Sequence, residues 1–275
     1  MIKKLVIPVA GLGTRFLPVT KSIPKEMLPI VDVPTIQLLL DEAYESGIEE
    51  VLFITSKKKE CIINHFNNDE ELNRIVENDL EKLKILKNIN KNIKINYVYQ
   101  EKPLGTANAI KLSKEFVNGE AFAVIFGDNI IKGTPALKEL IEVFMKTKQN
   151  VIGLKEVKDT CNYGIVQIEN GIINNIFEKP KYNVGSNLAA IGRYIFTNEV
   201  FEKIENIQVK NGEYQLTDAI LSFIKEKKAY PCIVTGEYFD IGSQIGFVKA
   251  NISFALDRKD LKEDLLEYIK NIKEN

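Results

Sequence analysis

Three cysteines, one histidine and four arginines are all that the 275 residues hold of these types, and each scarcity narrows the range of functions. Cys61, Cys161 and Cys232 are odd in number, far apart and never spaced as C-x-x-C, so neither a disulfide framework nor a zinc site is expected. They read as small buried hydrophobes in a reducing compartment, which points to the cytoplasm. The formal charge of −1 argues against a sequence-independent nucleic-acid binder, which needs a cationic surface to displace counterions from phosphates. No apolar run is long enough to span a bilayer, so no membrane association is expected. Leu5 to Ala10 superficially imitates the core of a signal peptide, but the run is short and broken by Pro8, and a buried first strand is expected instead. With arginine so rare, Arg15 inside a glycine-rich loop is a sharper signal than any single lysine.

What is present has the balance of an ordinary soluble protein, 45% hydrophobic and 27% charged, long enough to bury a substantial core. In the first 150 residues short β-branched runs alternate with helical periods, the pattern of β-α units around a mostly parallel sheet. Strands are expected at 4–9, 50–55, 93–99 and 121–126, and helices at 35–46, 57–66, 106–116 and 135–146. Residues 67–92, charged and rich in Asn, read as an exposed helical excursion. From residue 151 strands follow at 151–157, 163–169, 172–178 and 189–197, with Asn170-Gly171 marking a hairpin. A helix capped near Thr217-Asp218 precedes a strand at 230–235 and helices at 243–256 and 261–272. The expected fold is one α/β domain over 1–275. Residues 1–150 form a Rossmann-like, mostly parallel sheet flanked by helices; 151–256 form a smaller β-rich lobe, and 257–275 a C-terminal helix.

The first strand runs into Ala10-Gly11-Leu12-Gly13-Thr14-Arg15-Phe16-Leu17-Pro18. Glycines there let backbone approach a ligand, and free N–H groups can cradle phosphate oxygens. A dinucleotide fingerprint requires a third glycine where Phe16 stands and an acidic residue closing the second strand, whereas Asp32 lies in a loop between Pro29 and Pro34. A P-loop requires Gly-Lys-Ser/Thr where Gly13-Thr14-Arg15 stands. Nicotinamide dehydrogenases and P-loop kinases are therefore disfavoured. Asp128 follows an apolar strand, at the carboxyl end where α/β sheets place ligands, and Asp240 lies far along the chain in Phe-Asp-Ile-Gly. Taken singly, either aspartate could simply form a turn.

Residues 11–21 together with Ile23-Pro24-Lys25-Glu26-Met27-Leu28-Pro29-Ile30-Val31-Asp32 resemble the nucleotide-binding signature of bacterial UTP–glucose-1-phosphate uridylyltransferases. The resemblance continues in order through Gln100, Pro103-Leu104-Gly105, Gly127-Asp128, Tyr163-Gly164, Glu178-Lys179-Pro180, Ser186-Asn187-Leu188-Ala189, Gly192-Arg193-Tyr194, residues 213–219 and Phe239-Asp240-Ile241-Gly242, and so spans nearly the whole chain. It implies attack by a sugar-1-phosphate oxygen on the α-phosphorus of UTP, with pyrophosphate leaving. A phosphate nucleophile is already ionised, so alignment and charge stabilisation matter more than a general base.

By this resemblance Arg15, Lys25, Asp128 and Lys179 are catalytic; Ala10, Gly11, Gly13, Thr14, Arg15, Lys25, Gln100, Pro103 and Gly105 bind the nucleotide; Gly164, Glu178, Lys179, Asn187 and Ala190 bind the sugar phosphate. Asp128 and Asp240 together would ligate Mg²⁺, which needs few carboxylates beside phosphate oxygens and water. The resemblance also implies a homodimer or homotetramer. His65 stands alone, which leaves no partner for a covalent nucleotidyl-histidine route. Lys57 to Lys59 read as solubilising surface charges. Two alternatives stay open. Thr106-Ala107-Asn108-Ala109 and Gly127-Asp128-Asn129 depart from the uridylyltransferase pattern, the latter toward glucose-1-phosphate thymidylyltransferases using dTTP, and a galactose or mannose phosphate could replace glucose-1-phosphate. A non-catalytic nucleotide-sugar binder would be expected to lack one of Lys25, Asp128, Lys179 or Asp240, and all four are present.

Overall fold

The computed structural model describes residues 1–209 and 212–274. Its first half comprises β1 (Lys4–Pro8), a short hairpin of β2 (Pro29–Ile30) and β3 (Val33–Pro34), α1 (Thr35–Glu45), β4 (Glu50–Thr55) and α2 (Glu60–Phe66). There follow α3 (Glu70–Ile75), α4 (Leu80–Lys87), β5 (Lys94–Tyr99), α5 (Thr106–Lys111), α6 (Lys114–Val117), β6 (Phe122–Ile125), β7 (Asn129–Lys132) and α7 (Ala136–Thr147). The second half comprises β8 (Asn150–Glu156), β9 (Gly164–Glu169), β10 (Ile172–Glu178), β11 (Leu188–Phe196), α8 (Val200–Glu205) and α9 (Leu216–Lys225). The chain closes with β12 (Ala229–Ile233), β13 (Glu237–Asp240), α10 (Gln244–Asp257) and α11 (Lys262–Glu274).

One sheet runs β10-β9-β11-β6-β1-β4-β5, with β8 pairing β11 and β12. Strands β6, β1, β4 and β5 are parallel, as the β-α alternation predicts, and their carboxyl ends meet at one edge. Leu5, Val6 and Ile7 of β1 are all fully buried, because helices cover both faces of a central parallel strand. Alternation divides them: Leu5 and Ile7 join a core that includes Leu39, Leu40, Leu137 and Leu140 from α1 and α7. Val6 joins the opposite core with Ile110, Ile220 and Phe223 from α5 and α9. The expected mixed α/β fold with a parallel centre is present. The β-rich half, however, is an extension of the central sheet, because β11 lies antiparallel beside β6 and carries β8 and β9 with it.

Several local expectations change. The helix expected at 106–116 breaks into α5 and α6 at Ser113, whose buried hydroxyl donates to the Ile110 carbonyl. Residues β7 and β13 pair with each other outside the main sheet; at four residues each they are too short to show a period. Helix α9 starts behind Gln215 without a side-chain cap, and the hydroxyl of Thr217 is used elsewhere. Cys232 is buried, but Cys61 and Cys161 are exposed free thiols, one on the outer side of α2 and the other in the β8–β9 loop. Lys59 is buried, not solvated: its ammonium donates to Glu26 Oε2 at 2.7 Å and to the Val9 carbonyl. The Asn170-Gly171 hairpin forms as read, with φ of 50° and 78° at the two turn residues.

Arg193 is fully buried at the centre of the fold. Its guanidinium donates to both oxygens of Glu42 on α1, at 2.8 to 3.1 Å, and to the Asn129 carbonyl at 2.8 Å. Glu42 also accepts from the Leu137 amide at the start of α7. Arg193→Ala should therefore lower unfolding free energy by about 3–5 kcal/mol in urea titration, since Glu42 would be left buried and uncompensated. Replacing both partners, as in Arg193→Met with Glu42→Leu, should cost less than Arg193→Ala alone; a double variant as unstable as the single one would contradict this.

Candidate active site

Beyond β1 the chain makes three single turns of 3-10 helix, at Thr14–Phe16, Val19–Lys21 and Lys25–Met27. Thr20 closes the first part of the loop by donating to the Gly13 carbonyl at 2.8 Å. Ala10 is buried, while Gly11, Thr14 and Arg15 face solvent. Helix α10 holds the loop from behind. Phe16 meets Phe247 edge-on at 5.7 Å, Gln244 donates to the Arg15 carbonyl, and Asn251 accepts from the Val31 amide at 2.8 Å. The backbone of the glycine loop is thereby fixed while its ligand-facing side stays open.

Asp128 and Asp240 converge through the β7–β13 ribbon, whose register sets Asp240 opposite Asn129. The Gly242 amide donates to the Asp128 carbonyl at 3.2 Å and to Asp240 Oδ1 at 3.0 Å. A methyl group on Gly242 would stand 3.0 Å from Asp240 Oδ1 and 3.3 Å from Asp128 Oδ2, so both carboxylates crowd one point that only glycine leaves free. Lys25 Nζ donates to Asp128 Oδ2 at 3.0 Å, Asn129 Nδ2 to Asp128 Oδ1 at 3.0 Å, and the Tyr163 hydroxyl to Asp240 Oδ2 at 3.1 Å.

Burial alone would raise the Asp128 carboxyl, but Lys25 and then Arg15 outweigh it and hold it below the usual range. Burial would lower the Lys25 ammonium, and Asp128 and Glu26 outweigh that too, holding it above its ordinary value. Both groups are therefore charged at neutral pH. Among the described residues no cluster of three or more His, Cys, Asp or Glu could hold a metal. Two aspartates around an open point nevertheless suit a hard divalent cation whose remaining ligands are phosphate oxygens and water.

The antiparallel run of β11 brings its beginning to the same sheet edge. Ala190 is half-buried on that strand, and the Asn187 carbonyl accepts from the Val157 amide at 3.0 Å. Gly164 and Glu178 are register partners. Thr217 donates to Glu178 Oε2 at 2.6 Å. Lys179 follows β10 in a left-handed conformation, φ 44°, with an exposed ammonium and its amide bonded to the Tyr163 carbonyl at 3.0 Å.

On the other flank Gln100 follows β5 and donates to Asn108 Oδ1 at 3.1 Å, beside exposed Pro103. Gly105, φ 97°, lies against the Tyr214 backbone so closely that a Cβ would fall 2.6 Å from its carbonyl oxygen. Residues 214–217 thus link the Gly105 loop to Glu178. The lone His65 is half-buried on α2, bonded to Gln37 at 3.1 Å.

The structure therefore joins Lys25, Asp128 and Asp240 in one cluster, with Arg15 exposed on the adjoining loop and acting on Asp128 by charge, and Lys179 attached through Tyr163. Gln100, Pro103 and Gly105 form one flank, and Gly164, Glu178, Asn187 and Ala190 the other. Sequence reasoning placed none of Glu26, Lys59, Asn108, Asn129, Tyr163, Thr217 or Tyr238 among the catalytic, binding or metal residues. The available signal was adjacency: most lie within one or two residues of a position that was singled out.

Because Asp128 titrates below its ordinary range, its stabilising contribution is present above the pKa of an unfolded aspartate and is lost as pH falls through the folded value. In metal-free buffer the stability gap between the native chain and Asp128→Asn should be largest near pH 7 and narrow on acidification below about pH 4. A gap that widens there would contradict the pairing with Lys25.

Residues 4–255 match the family described as nucleotidyl transferase. The UTP–glucose-1-phosphate uridylyltransferase of Staphylococcus epidermidis is 42% identical over 98% of this chain and 98% of its own. That of Bacillus subtilis is 39% identical over 98% of this chain and 97% of its own. The UTP-bound UGPase from Acinetobacter baumannii aligns with a TM-score of 0.87 at 35% identity, covering 98% of this chain and 99% of that one. A family match over nearly the full length, with relatives of this identity and a site assembled at the carboxyl edge of the parallel strands, establishes that the chain belongs to the nucleotidyl transferase family.

Proposed function

We propose that this protein transfers a uridylyl group from UTP to glucose-1-phosphate, giving UDP-glucose and pyrophosphate. The observation that carries this reading is the convergence of Asp128, Asp240 and Lys25 beside an open glycine loop. The names of relatives at 39–42% identity and a relative bound to UTP support the choice of substrates.

In this reading the loop of Ala10, Gly11, Gly13 and Thr14 presents backbone N–H groups to the triphosphate, and the Arg15 guanidinium forks onto its β- and γ-phosphates. Lys25, kept charged by Asp128, turns to the α-phosphoryl group as charge gathers there. Asp128 and Asp240 would hold Mg²⁺, and the chemistry it supplies is neutralisation of phosphate charge. Lys179 grips the phosphate of the sugar, whose hydroxyls meet Glu178, Gly164, Asn187 and Ala190. Gln100, Pro103 and Gly105 take the base, with Asn108 orienting the Gln100 amide. No general base is needed, because the attacking oxygen is already anionic, and direct displacement follows from alignment of the two substrates.

Two further parts belong to the proposal. Free exposed thiols at Cys61 and Cys161 support a reducing, cytoplasmic setting, and among the described residues no helix is long and apolar enough to cross a membrane. Exposed Ile245, Val248 and Ile252 along α10, with Tyr268 and Ile272 on α11, support assembly as a homodimer or homotetramer.

Pyrophosphate release should require UTP, glucose-1-phosphate and a divalent cation together, and should stop on chelation; equal rates with UTP and dTTP would defeat the UTP assignment, faster release with dTTP would move it to a thymidylyltransferase, and no release with any pair would point to a non-catalytic binder. Asp128→Asn should reduce kcat by about 100-fold or more while the circular dichroism spectrum is kept. Lys179→Ala should raise KM for glucose-1-phosphate about tenfold or more, a charge-assisted hydrogen bond being worth about 1.5–3 kcal/mol, with KM for UTP little changed.

A further inference from the structure

Two tyrosines in ring contact serve the two carboxylates, one directly and one through an asparagine. Tyr163 donates its hydroxyl to Asp240 Oδ2 at 3.1 Å while its carbonyl accepts from the Lys179 amide at 3.0 Å. One residue therefore touches both the acidic pair and the backbone of the cation that follows β10. Tyr238 on β13 packs edge-on against the Tyr163 ring at 6.5 Å and donates to Asn129 Oδ1 at 2.6 Å. Asn129 then donates through Nδ2 to Asp128 Oδ1 at 3.0 Å. The direction of this relay is forced: an ionised carboxylate only accepts, so the amide nitrogen must face Asp128 and the amide oxygen must face the phenol.

The Lys179 backbone has reason to depend on this contact. A non-glycine residue at φ 44° is in a sparsely populated conformation and stays there only when its surroundings hold it. The bond from its amide to Tyr163 is such a restraint, and Tyr163 is in turn tethered by its hydroxyl to Asp240.

We propose that Tyr163 is a positioning residue that couples the metal carboxylates to the sugar-phosphate lysine, its hydroxyl setting Asp240 and its carbonyl setting the backbone of Lys179. Tyr238 and Asn129 set Asp128 by the relay, and Tyr238 meets Tyr163 through its ring edge, which Tyr238→Phe keeps. This rests on Asp128 and Asp240 being the metal pair. Its consequence is that a cation ordering Asp240 also orders Lys179, and that the coupling is reciprocal.

The test uses Tyr163→Phe and Tyr238→Phe in the full chain, each removing one hydroxyl and leaving ring and backbone in place. Mn²⁺ affinity is read on the nucleotide-free protein by water proton relaxation, and KM for each substrate at saturating Mg²⁺. Both variants should weaken Mn²⁺ binding about tenfold, the usual effect of losing an outer partner of a metal ligand. Tyr163→Phe alone should also raise KM for glucose-1-phosphate, by about threefold or more, with KM for UTP within twofold of the native value. The inference is overturned by Mn²⁺ affinity within twofold of native in Tyr163→Phe, by weakened Mn²⁺ binding with an unmoved glucose-1-phosphate KM, or by an equal rise in both KM values with a lowered Tm, which marks a merely structural tyrosine. A native chain that neither binds Mn²⁺ nor turns over UTP and glucose-1-phosphate would instead sink the functional reading itself.

Discussion

A guanidinium sealed from water is the contact on which the site depends. Arg193 comes from β11 in the second half of the chain, Glu42 from α1 and the Asn129 carbonyl from β7 in the first. Burying these charges is costly, and the cost is offset only by close alignment and hydrogen bonding, which the pair has through Arg193 Nε and Nη2 while Nη1 is left without a partner. That requirement ties α1, α7, β7 and β11 to one another with little freedom. Asn129 is the residue next to Asp128, so a constraint paid at the centre of the fold is delivered one residue away as a defined carboxylate.

From that point outward the geometry becomes electrostatic. Two aspartates around one unfilled point repel each other, and donors surround them: Lys25, Asn129, the Gly242 amide and Tyr163. The absent side chain of Gly242 is as much a part of this arrangement as any group present. Such a cluster is organised before any substrate arrives, the condition under which fixed charges act most strongly on developing charge.

A second ion pair lies beneath the first. Glu26 and Lys59 meet at 2.7 Å, both buried, and burial pushes the carboxyl up and the ammonium down. Glu26 follows Lys25 in a single 3-10 turn, so the two side chains leave the backbone in different directions. One lies under the Gly127 turn, where a Cβ on Gly127 would stand 3.2 Å from Glu26 Cγ; the other meets Asp128. The neighbouring charges of the Pro24-to-Pro29 segment are thus divided between a buried support, Glu26, and a half-buried ammonium, Lys25, that meets Asp128.

What the sequence by itself determined was whatever local chemistry dictates. The apolar run of β1, the β-α alternation, the Asn170-Gly171 turn and the glycine loop with its single arginine were legible because periodicity and turn propensity act between near neighbours. The family resemblance, carried by separate segments along the chain, also grouped Lys25, Asp128 and Asp240 in one expected site. Tertiary structure decided which side chains meet. Lys59 reads as one of three consecutive lysines, yet only its distance to Glu26, 33 residues away, makes it a buried ion. Arg193 sits in a recognisable motif, but nothing local says that its partner is Glu42, 151 residues earlier. The ribbons β7 and β13 are too short to carry a period and exist because each pairs with the other. Contacts of this kind are set by how helices and strands pack across the sheet, and a pattern along the chain contains no measure of that distance.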